Sequence, residues 1–547
     1  MTSVATRIAD ALAPSISSAF GVMGNGNAHL IDALRDTTVA YVAVRHEAAA
    51  VAAADGYYRA CGRLALATAT YGAGFTNTVT ALAEAVQAHT PLVLLVGDAP
   101  PTGARPWDID QRSIAAAVGA ETFTVSQADA GRVTIAAISH ALTHRTAVVL
   151  AVPYGLAIAP AEEEGVLPSV VVPTPVTPEP AAIEAAAQLL ARAERPLLLA
   201  GRGAWLADAG EPLSVLADRL GALTATTALG RNLFRRAEFD LGVVGGFGQD
   251  DAMDLVGRAD VVLVIGAGLN QFTTRFGTLF SPETTVIRID DRPHGEHPAV
   301  TMSLRGDARL TAEALLARVR PVPGRTARWR EAVADPAPFR VRDAGTERCE
   351  DGRLDPRSLA VRLQQILPAD RVTVSDGGHF LGWSNMHWKV AAPNRTMMVG
   401  TAFQSIGLGF PSAVGAASAL PDATLVVTTG DGGALMALAD LDSVIRTAKR
   451  GIIVVWNDAA YGAEIHMYGR MGLGTAPMLI DEVDFAGIAR SLGGRGDVIR
   501  SLDDLSAVEA WLASDSNGVY LLDCRISTSV VAPYQREIYE HAVAVSA

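Results

Sequence analysis

Short, uninterrupted apolar runs recur along this chain, each ending in a polar or glycine-rich break and followed by a segment with helical spacing. In the first third, "TVAYVAVR", "LALATATYG" and "PLVLLVGDA" alternate with "HEAAAVAAADGYYRA" and "TNTVTALAEAVQA". "RPLLLAGRGA", "ADVVLVIGAGL" and "TTVIRIDD" continue the theme, and "RVTVSDGG", "TLVVTTGDGG", "GIIVVWND" and "GVYLLDCRI" close it. Strands that are apolar on both faces and alternate with helices predict parallel sheets covered on both sides. Two proline-dense stretches break the rhythm, "VLPSVVVPTPVTPEP" and the segment from Pro321 to Phe339. Proline at that density continues neither a helix nor a central strand, so both read as linkers. The predicted fold class is α/β, with three doubly wound parallel-sheet domains at residues 1–165, 181–320 and 353–547.

The chain length of 547 residues fits that count, since domains of about 150 residues give roughly three to four units. Hydrophobic residues make up 49% and charged residues 19%, enough for several buried cores and far from the signature of disorder. A net charge of -13 without a basic block argues against a nucleic-acid partner. Cys61, Cys349 and Cys524 are too few and too scattered for a disulfide framework or a thiolate metal cage. They fit a reducing cytoplasm. The opening "MTSVATRIADALAP" carries Arg7 and Asp10 inside its apolar stretch, unlike a signal peptide. No run approaches the roughly 18 apolar residues that span a bilayer, so no membrane partner is expected.

Candidate chemistry concentrates where two strands of the last third end. After "TLVVTT", the glycines of "GDGG" (Gly430, Gly432, Gly433) let the backbone turn tightly in front of a helix. Such a turn suits a phosphate, because free N–H groups and the positive end of the helix dipole point at it. Asp431 repels a bare phosphate, a conflict that a hard divalent cation between the two removes. Asp458, after "GIIVVWN", is the obvious second ligand. Taken singly, either aspartate reads as a helix cap or a turn residue. In open sheets of this type, ligands lie beyond the carboxyl ends of the strands, where both are.

The pairing of "GDGG" with "NDAAYG" resembles the pyrophosphate–magnesium motif of thiamine diphosphate (ThDP) enzymes. Glu47 in "AVRHEAAAVAAADGYYRACGR" and the segment "YGAGFTNTVTALAEAVQAHTPLVLLVGDAP" are similar to stretches of acetolactate synthase and its relatives. Similarity extends through "ADVVLVIGAGL", "TTVIRIDD" and "LRGDA" to "IGLGFPSAVGAA". The chain thus resembles the acetolactate synthase, pyruvate decarboxylase and benzaldehyde lyase superfamily, with pyrimidine-binding, central and pyrophosphate-binding domains in that order. The resemblance implies ThDP and Mg²⁺ as cofactors, with Asp431, Asp458 and the carbonyl of Ala460 on the metal and Tyr461 and Gly462 shaping the turn. It makes Glu47 the carboxyl group at the cofactor's pyrimidine ring and Ile406 the apolar wedge between its two rings. Without the resemblance, Glu47 is a first-turn glutamate favoured by the helix dipole and Ile406 a core residue. It also implies a homodimer or homotetramer, because the two cofactor-binding domains of one site come from different subunits.

Around the reacting carbon the chain departs from its relatives. Asn25, in "FGVMGNGNAHLIDAL", stands where some decarboxylases carry Asp or Ser, and Gly26 where benzaldehyde lyase carries His. In "RPWDIDQRS", Trp107 and Asp108 replace the synthases' Gln and Glu. Asn25, Asn27, Asp108, Gln111, His379, Gln404, Glu464 and His466 are candidates to fill the gap, each also readable as a surface or core polar residue. His379 and Gln404 lead, the first because it follows a strand at the cleft and the second because it lies two residues before Ile406. Trp107 as an apolar wall would favour a bulkier or less polar acceptor than a second pyruvate. The expected function is decarboxylation of a 2-oxo acid with transfer of the acyl carbanion equivalent to a carbonyl acceptor. A non-ligating decarboxylase or an acyloin lyase is the alternative within the class. An NAD-dependent oxidoreductase fits the repeated α/β units but explains neither Glu47 nor the two aspartates, and an inactive cofactor-binding homologue fits the unusual loop. "GAGLNQFTTRFG" resembles the segment in which some synthases hold FAD, and a glycine run alone does not decide for it.

Overall fold

The computed structural model describes residues 2–292, 297–320, 324, 326–335 and 337–546. It contains three six-stranded sheets. The first is built from β1 (Ser18–Gly21), β2 (Ala40–Ala43), β3 (Leu66–Ala69), β4 (Leu92–Asp98), β5 (Glu121–Thr124) and β6 (Ala147–Pro153). Its order is β2-β1-β3-β4-β6-β5. The second comprises β7 (Pro196–Ala200), β8 (Leu223–Thr226), β9 (Asp240–Val243), β10 (Val261–Ile265), β11 (Thr285–Asp290) and β12 (Met302–Arg305). The third comprises β13 (Arg371–Ser375), β14 (Thr396–Met398), β15 (Thr424–Gly430), β16 (Arg450–Asn457), β17 (Arg495–Ile499) and β18 (Gly518–Arg525). Every pair of neighbouring strands is parallel. The predicted α/β class with parallel sheets is what the chain adopts.

Strand order carries functional information. The third sheet, β14-β13-β15-β16-β18-β17, repeats the connectivity of the first. The second, β12-β11-β10-β7-β8-β9, is the 3-2-1-4-5-6 order of dinucleotide-binding folds read from the other edge. Each sheet therefore has a switch point where chain direction across the sheet reverses, between β1 and β3, β7 and β10, and β13 and β15. The crevice outside the carboxyl ends at such a point is where open α/β sheets hold ligands.

The first and third sheets share one core through two helices, α1 (Glu47–Cys61) and α2 (Gly409–Ala419). His46 caps the start of α1 by accepting from the Ala48 N–H, and Gly62, at φ 70°, ends it in the left-handed conformation. The facing surfaces are made almost wholly of Ala and Gly, so the two backbones nearly touch. A Cβ on Gly415 would lie 1.8 Å from the Ala53 carbonyl oxygen, and one on Gly56 would lie 2.3 Å from that of Ser412. Within a single chain the first and third sheets are thus locked together.

Two expectations change. The stretch from Pro321 to Phe339 is no free linker where it is described. Trp329 is buried, donates through Nε1 to the Pro196 carbonyl at 2.9 Å, and packs with Leu197, Leu199 and Val286 of the second sheet. One large indole outweighs the surrounding prolines, because burying it removes far more apolar surface from water than the loop needs to be anchored. The segment between β15 and β16 is also two helices rather than one, α3 (Asp431–Met436) and α4 (Ala439–Thr447), parted where Ala437 leaves helical geometry at φ -113°. Asp431 itself is the first helical residue and not a turn preceding the helix.

Candidate functional site

Register explains why the two aspartates meet. Gly430 at the end of β15 pairs with Trp456 near the end of β16, so the next residues, Asp431 and Asn457-Asp458, leave adjacent strands side by side. Both carboxylates are buried. Burial pushes the Asp431 carboxyl up to about 6, against the hydrogen bonds it accepts from the Gly432 and Ala460 N–H groups. Burial and then the charge of Asp431 push Asp458 well above the usual carboxylate range. Asp431 Oδ2 is buried without a hydrogen-bond partner among the described residues. Two buried acids that oppose each other's ionisation, one with an orphaned oxygen, form a site that a hard cation would complete. The donor set therefore fits Mg²⁺.

The turn after Asp458 is held from behind. Asn457 donates to Asp523 Oδ1 at 2.9 Å and accepts from the Ala459 N–H at 3.3 Å, while Arg525 pairs with Asp523 Oδ2 at 2.7 Å. Ala459 sits at φ 56°, strained for a residue with a Cβ. Tyr461 donates its N–H to Met478 and Ile480 donates to Ala459. This bracing points Asp458 at Asp431. A Cβ at Gly462 would fall 2.7 Å from Asp458 Oδ2, so a larger residue there would displace that carboxylate.

Asp376, at the end of β13 across the switch point, is fully enclosed, and burial raises its carboxyl to about 6. It accepts from the N–H groups of Gly377 (2.8 Å), Gly407 (3.1 Å) and Leu408 (3.3 Å) and from Thr429 Oγ1 (3.2 Å). It ties the loop bearing Gln404 and Ile406 to the strand that delivers Asp431. The sequence reading passed over it, although an Asp directly after an apolar strand was a usable signal.

Gly430, Asp431, Gly432, Gly433, Asp458, Ala460, Tyr461, Gly462, His379, Gln404, Ile406 and Glu464 all line one cavity of about 750 Å³. Gln404 adopts φ 59°, and Ile406 is 38% exposed. His379 is enclosed: its Nε2 accepts from the Ala532 N–H at 3.0 Å, which leaves the proton of the neutral ring on Nδ1. Burial pulls its pKa down to about 3 and that of neighbouring His466 to about 4. His379 is therefore a neutral donor at the cavity wall.

The cavity extends to the switch point of the second sheet, along Gly266 to Gly268, Arg288 and Asp290 to Arg292. Arg202 reaches this arm with Nη2 buried and without a hydrogen-bond partner among the described residues, and burial pulls its guanidinium down to about 10.

Glu47 and Asn25 are not among the residues lining this cavity. Both belong to a second constellation, at the switch point of the first sheet. Glu47 Oε2 accepts from Asn77 Nδ2 at 3.0 Å, and Oε1 lies 3.5 Å from where a Cβ of Gly74 would be. Asn25 Nδ2 donates to the Tyr71 hydroxyl at 2.9 Å. Asn27 is committed to its own loop, bonding Gly24, Val22 and Thr68, and Gln111 bonds Gly72 and Gly97. Asp108 forms a two-pronged pair with Arg105, whose guanidinium lies over the Tyr71 and Tyr154 rings at 4.2 and 4.3 Å. Trp107 stands beside it, 57% exposed. Asn77 and Tyr71 were not singled out in the sequence, since neither forms a motif without its spatial neighbour.

Among the described residues, no helix is long and apolar enough to cross a membrane. Residues 2–118 match the family described as "Thiamine pyrophosphate enzyme, N-terminal TPP binding domain", residues 183–315 its central domain and residues 376–524 its C-terminal TPP binding domain. Curated relatives include the acetolactate synthase isozyme 2 large subunit of Escherichia coli, 29% identical over 94% of this chain and 93% of its own. A probable acetolactate synthase large subunit of Methanocaldococcus jannaschii is 27% identical over 95% of this chain and 91% of its own. The sulfoacetaldehyde acetyltransferase of Castellaniella defragrans is 27% identical over 90% and 87%. With three TPP-enzyme domains matched in order and the diphosphate-type turn at the switch point of the last sheet, this chain belongs to the thiamine pyrophosphate enzymes, in the superfamily of acetolactate synthase.

Proposed function

We propose that the protein is a ThDP- and Mg²⁺-dependent carboligase that decarboxylates a 2-oxo acid and transfers the acyl unit to a carbonyl acceptor. The carrying observation is the buried pair Asp431 and Asp458 with its orphaned oxygen at the switch point of the third sheet. Asp431, Asp458 and the Ala460 carbonyl would hold the metal, and the Gly430–Gly433 turn the diphosphate. ThDP supplies the nucleophilic carbon and the electron sink that cleavage beside a carbonyl requires. Glu47, oriented by Asn77, would offer its carboxyl group to the pyrimidine end of the cofactor, a position suited to general acid–base assistance. Ile406 would support the cofactor as an apolar wall of the cavity, and Gln404 and Asn25 would offer amide groups to the substrate. The neutral His379 donates from Nδ1 at the metal end.

Because Glu47 lies outside the cavity of its own chain, a second copy would supply it, making a homodimer the minimal unit and a tetramer an assembly of two. Exposed apolar side chains support this reading on both constellations, Met23, Trp107 and Ile109 on one and Phe403, Ile406 and Met436 on the other. FAD is a candidate for the arm at the second sheet, where it would meet Arg202, and would announce itself by flavin absorbance of the purified protein. The three unpaired cysteines fit a cytoplasmic setting.

A second reading keeps the donor chemistry and makes the acceptor anionic. It is favoured by the sulfoacetaldehyde acetyltransferase relatives and by Arg105, whose Nη1 is buried without a partner beside Tyr71. The experiment is a panel of 2-oxo acids with and without aldehyde acceptors, sulfoacetaldehyde included, supplied with ThDP and Mg²⁺. Carbon–carbon product formed by the native enzyme and lost in Glu47→Gln supports the proposal, while carbon dioxide without ligation would make it a simple decarboxylase.

A further inference from the structure

Arg59, Asp55 and Glu84 form a buried charged cluster remote from the metal site, and each is less than a tenth exposed. Arg59 Nε donates to Asp55 Oδ1 at 2.8 Å, and Nη2 donates to Glu84 Oε1 at 3.1 Å. Buried ion clusters are weak contributors to stability, because desolvation offsets most of the attraction. The remaining contacts indicate another use. Arg59 Nη1 donates to the Met398 carbonyl at 2.9 Å, and Glu84 Oε2 accepts from the Phe403 N–H at 2.7 Å. Both partners lie on the third sheet's side, at the start and in the middle of the loop that carries Gln404 and Ile406.

That loop needs support. It has no regular structure between β14 and α2, and it holds left-handed backbone at Gly400 (φ 75°), Gln404 (φ 59°) and Gly407 (φ 83°). A side-chain-bearing residue stays in that region only when its surroundings over-determine it. Asp376 fixes the far end through the Gly407 and Leu408 N–H groups. The near end is fixed by Glu84 and Arg59. Gln404, Ser405 and Ile406 hang between two buried carboxylates that come from different sheets.

We propose that Glu84, held by Arg59, is a positioning residue for the Gln404–Ile406 loop, so that helices of the first sheet set the shape of the cavity on the third. The proposal rests on the functional reading above for what Ile406 does, and on the coordinates alone for what holds it. It has a consequence for the dimer. Glu47 begins α1 and Arg59 lies near its end, about 18 Å further along at 1.5 Å per residue. If Glu47 serves the partner's cavity while Arg59 braces its own chain's loop, one helix touches both sites.

The test compares native protein with Glu84→Gln, Glu84→Asp and Phe403→Pro. The first keeps the shape of Glu84 and removes its charge, and the last deletes the donor N–H from an exposed position, which keeps the test open if the buried variant does not fold. Amide hydrogen exchange is read on cofactor-free chains. Exchange at residues 399–408 is expected to rise about tenfold or more in Glu84→Gln and Phe403→Pro while the rest of the chain is unchanged, as loss of a charge-assisted bond implies. In Glu84→Gln, kcat should fall about tenfold with ThDP affinity within about threefold, and Glu84→Asp should recover part of it. Unchanged loop exchange, or protection lost evenly along the chain, would overturn the proposal. Since exchange needs neither cofactor nor turnover, a failure of the functional reading would show separately, as absence of activity in the native enzyme.

Discussion

Asn77 Nδ2 donates to Glu47 Oε2 at 3.0 Å, across from the start of α1 to the helical turn that follows β3. Oε1 of Glu47 lies on the Gly74 side, where a Cβ on Gly74 would stand 3.5 Å from it. Asn77→Ala is expected to lower kcat about tenfold with little change in ThDP affinity, because orientation is lost and the carboxyl group remains. Glu47→Gln should lose far more. Steady-state kinetics with a cofactor titration checks both; equal kcat in Asn77→Ala and native enzyme would remove Asn77 from the mechanism.

The two acids of the candidate metal site, Asp431 and Asp458, oppose one another's ionisation. Asp431→Asn should therefore stabilise the metal-free protein, by about 1 kcal/mol near pH 8, while abolishing the thermal shift produced by ThDP with Mg²⁺. Folded carboxyls with raised pKa values bind protons that the unfolded chain has already lost. Their contribution is full below the ordinary value of 3.8 and fades as pH rises through about 6. Denaturant titrations at pH 5 and pH 8 on metal-free protein read this, and a variant less stable than native at both would refute it.

His379 and His466 run in the opposite sense. Burial holds their folded pKa values near 3 and 4, below the ordinary 6.5, so the unfolded chain takes up protons first. Stability from these groups is present above 6.5 and is lost as pH falls toward 4. Unfolding free energy should drop across that window and drop less in His379→Gln. The pH profile of kcat/KM should keep its shape in the same variant, since a ring that is neutral throughout supplies no titrating limb. A basic or acidic limb lost with the ring would show that His379 does move a proton.

Gly415→Ala tests the join between the first and third sheets. The added Cβ would meet the Ala53 carbonyl oxygen at 1.8 Å, and a helix backbone cannot yield as a flexible side chain does. A loss of about 3 kcal/mol or more in unfolding free energy is expected, measured by urea titration. A loss below about 1 kcal/mol would mean that α1 and α2 separate easily.

Part of the candidate site is legible in the sequence. Local sequence determined the strands, since runs such as "TLVVTT" and "GIIVVW" have no solvent-facing side, and it determined the turns, since glycine and Asp after an apolar run leave few backbone options. The family resemblance singled out Glu47, Asp431 and Asp458, and the structure brings the two aspartates together. Tertiary structure alone decided what depends on distance between segments remote in sequence. Register brought Asp431 beside Asp458, the close approach of α1 and α2 welded two sheets, and burial made the candidate His379 a neutral donor. Trp329 showed the same limit, because nothing in a proline-rich stretch announces the pocket its indole fills. Backbone preference is written residue by residue, whereas pKa, pairing and packing are properties of neighbours, and the chain acquires its neighbours only by folding.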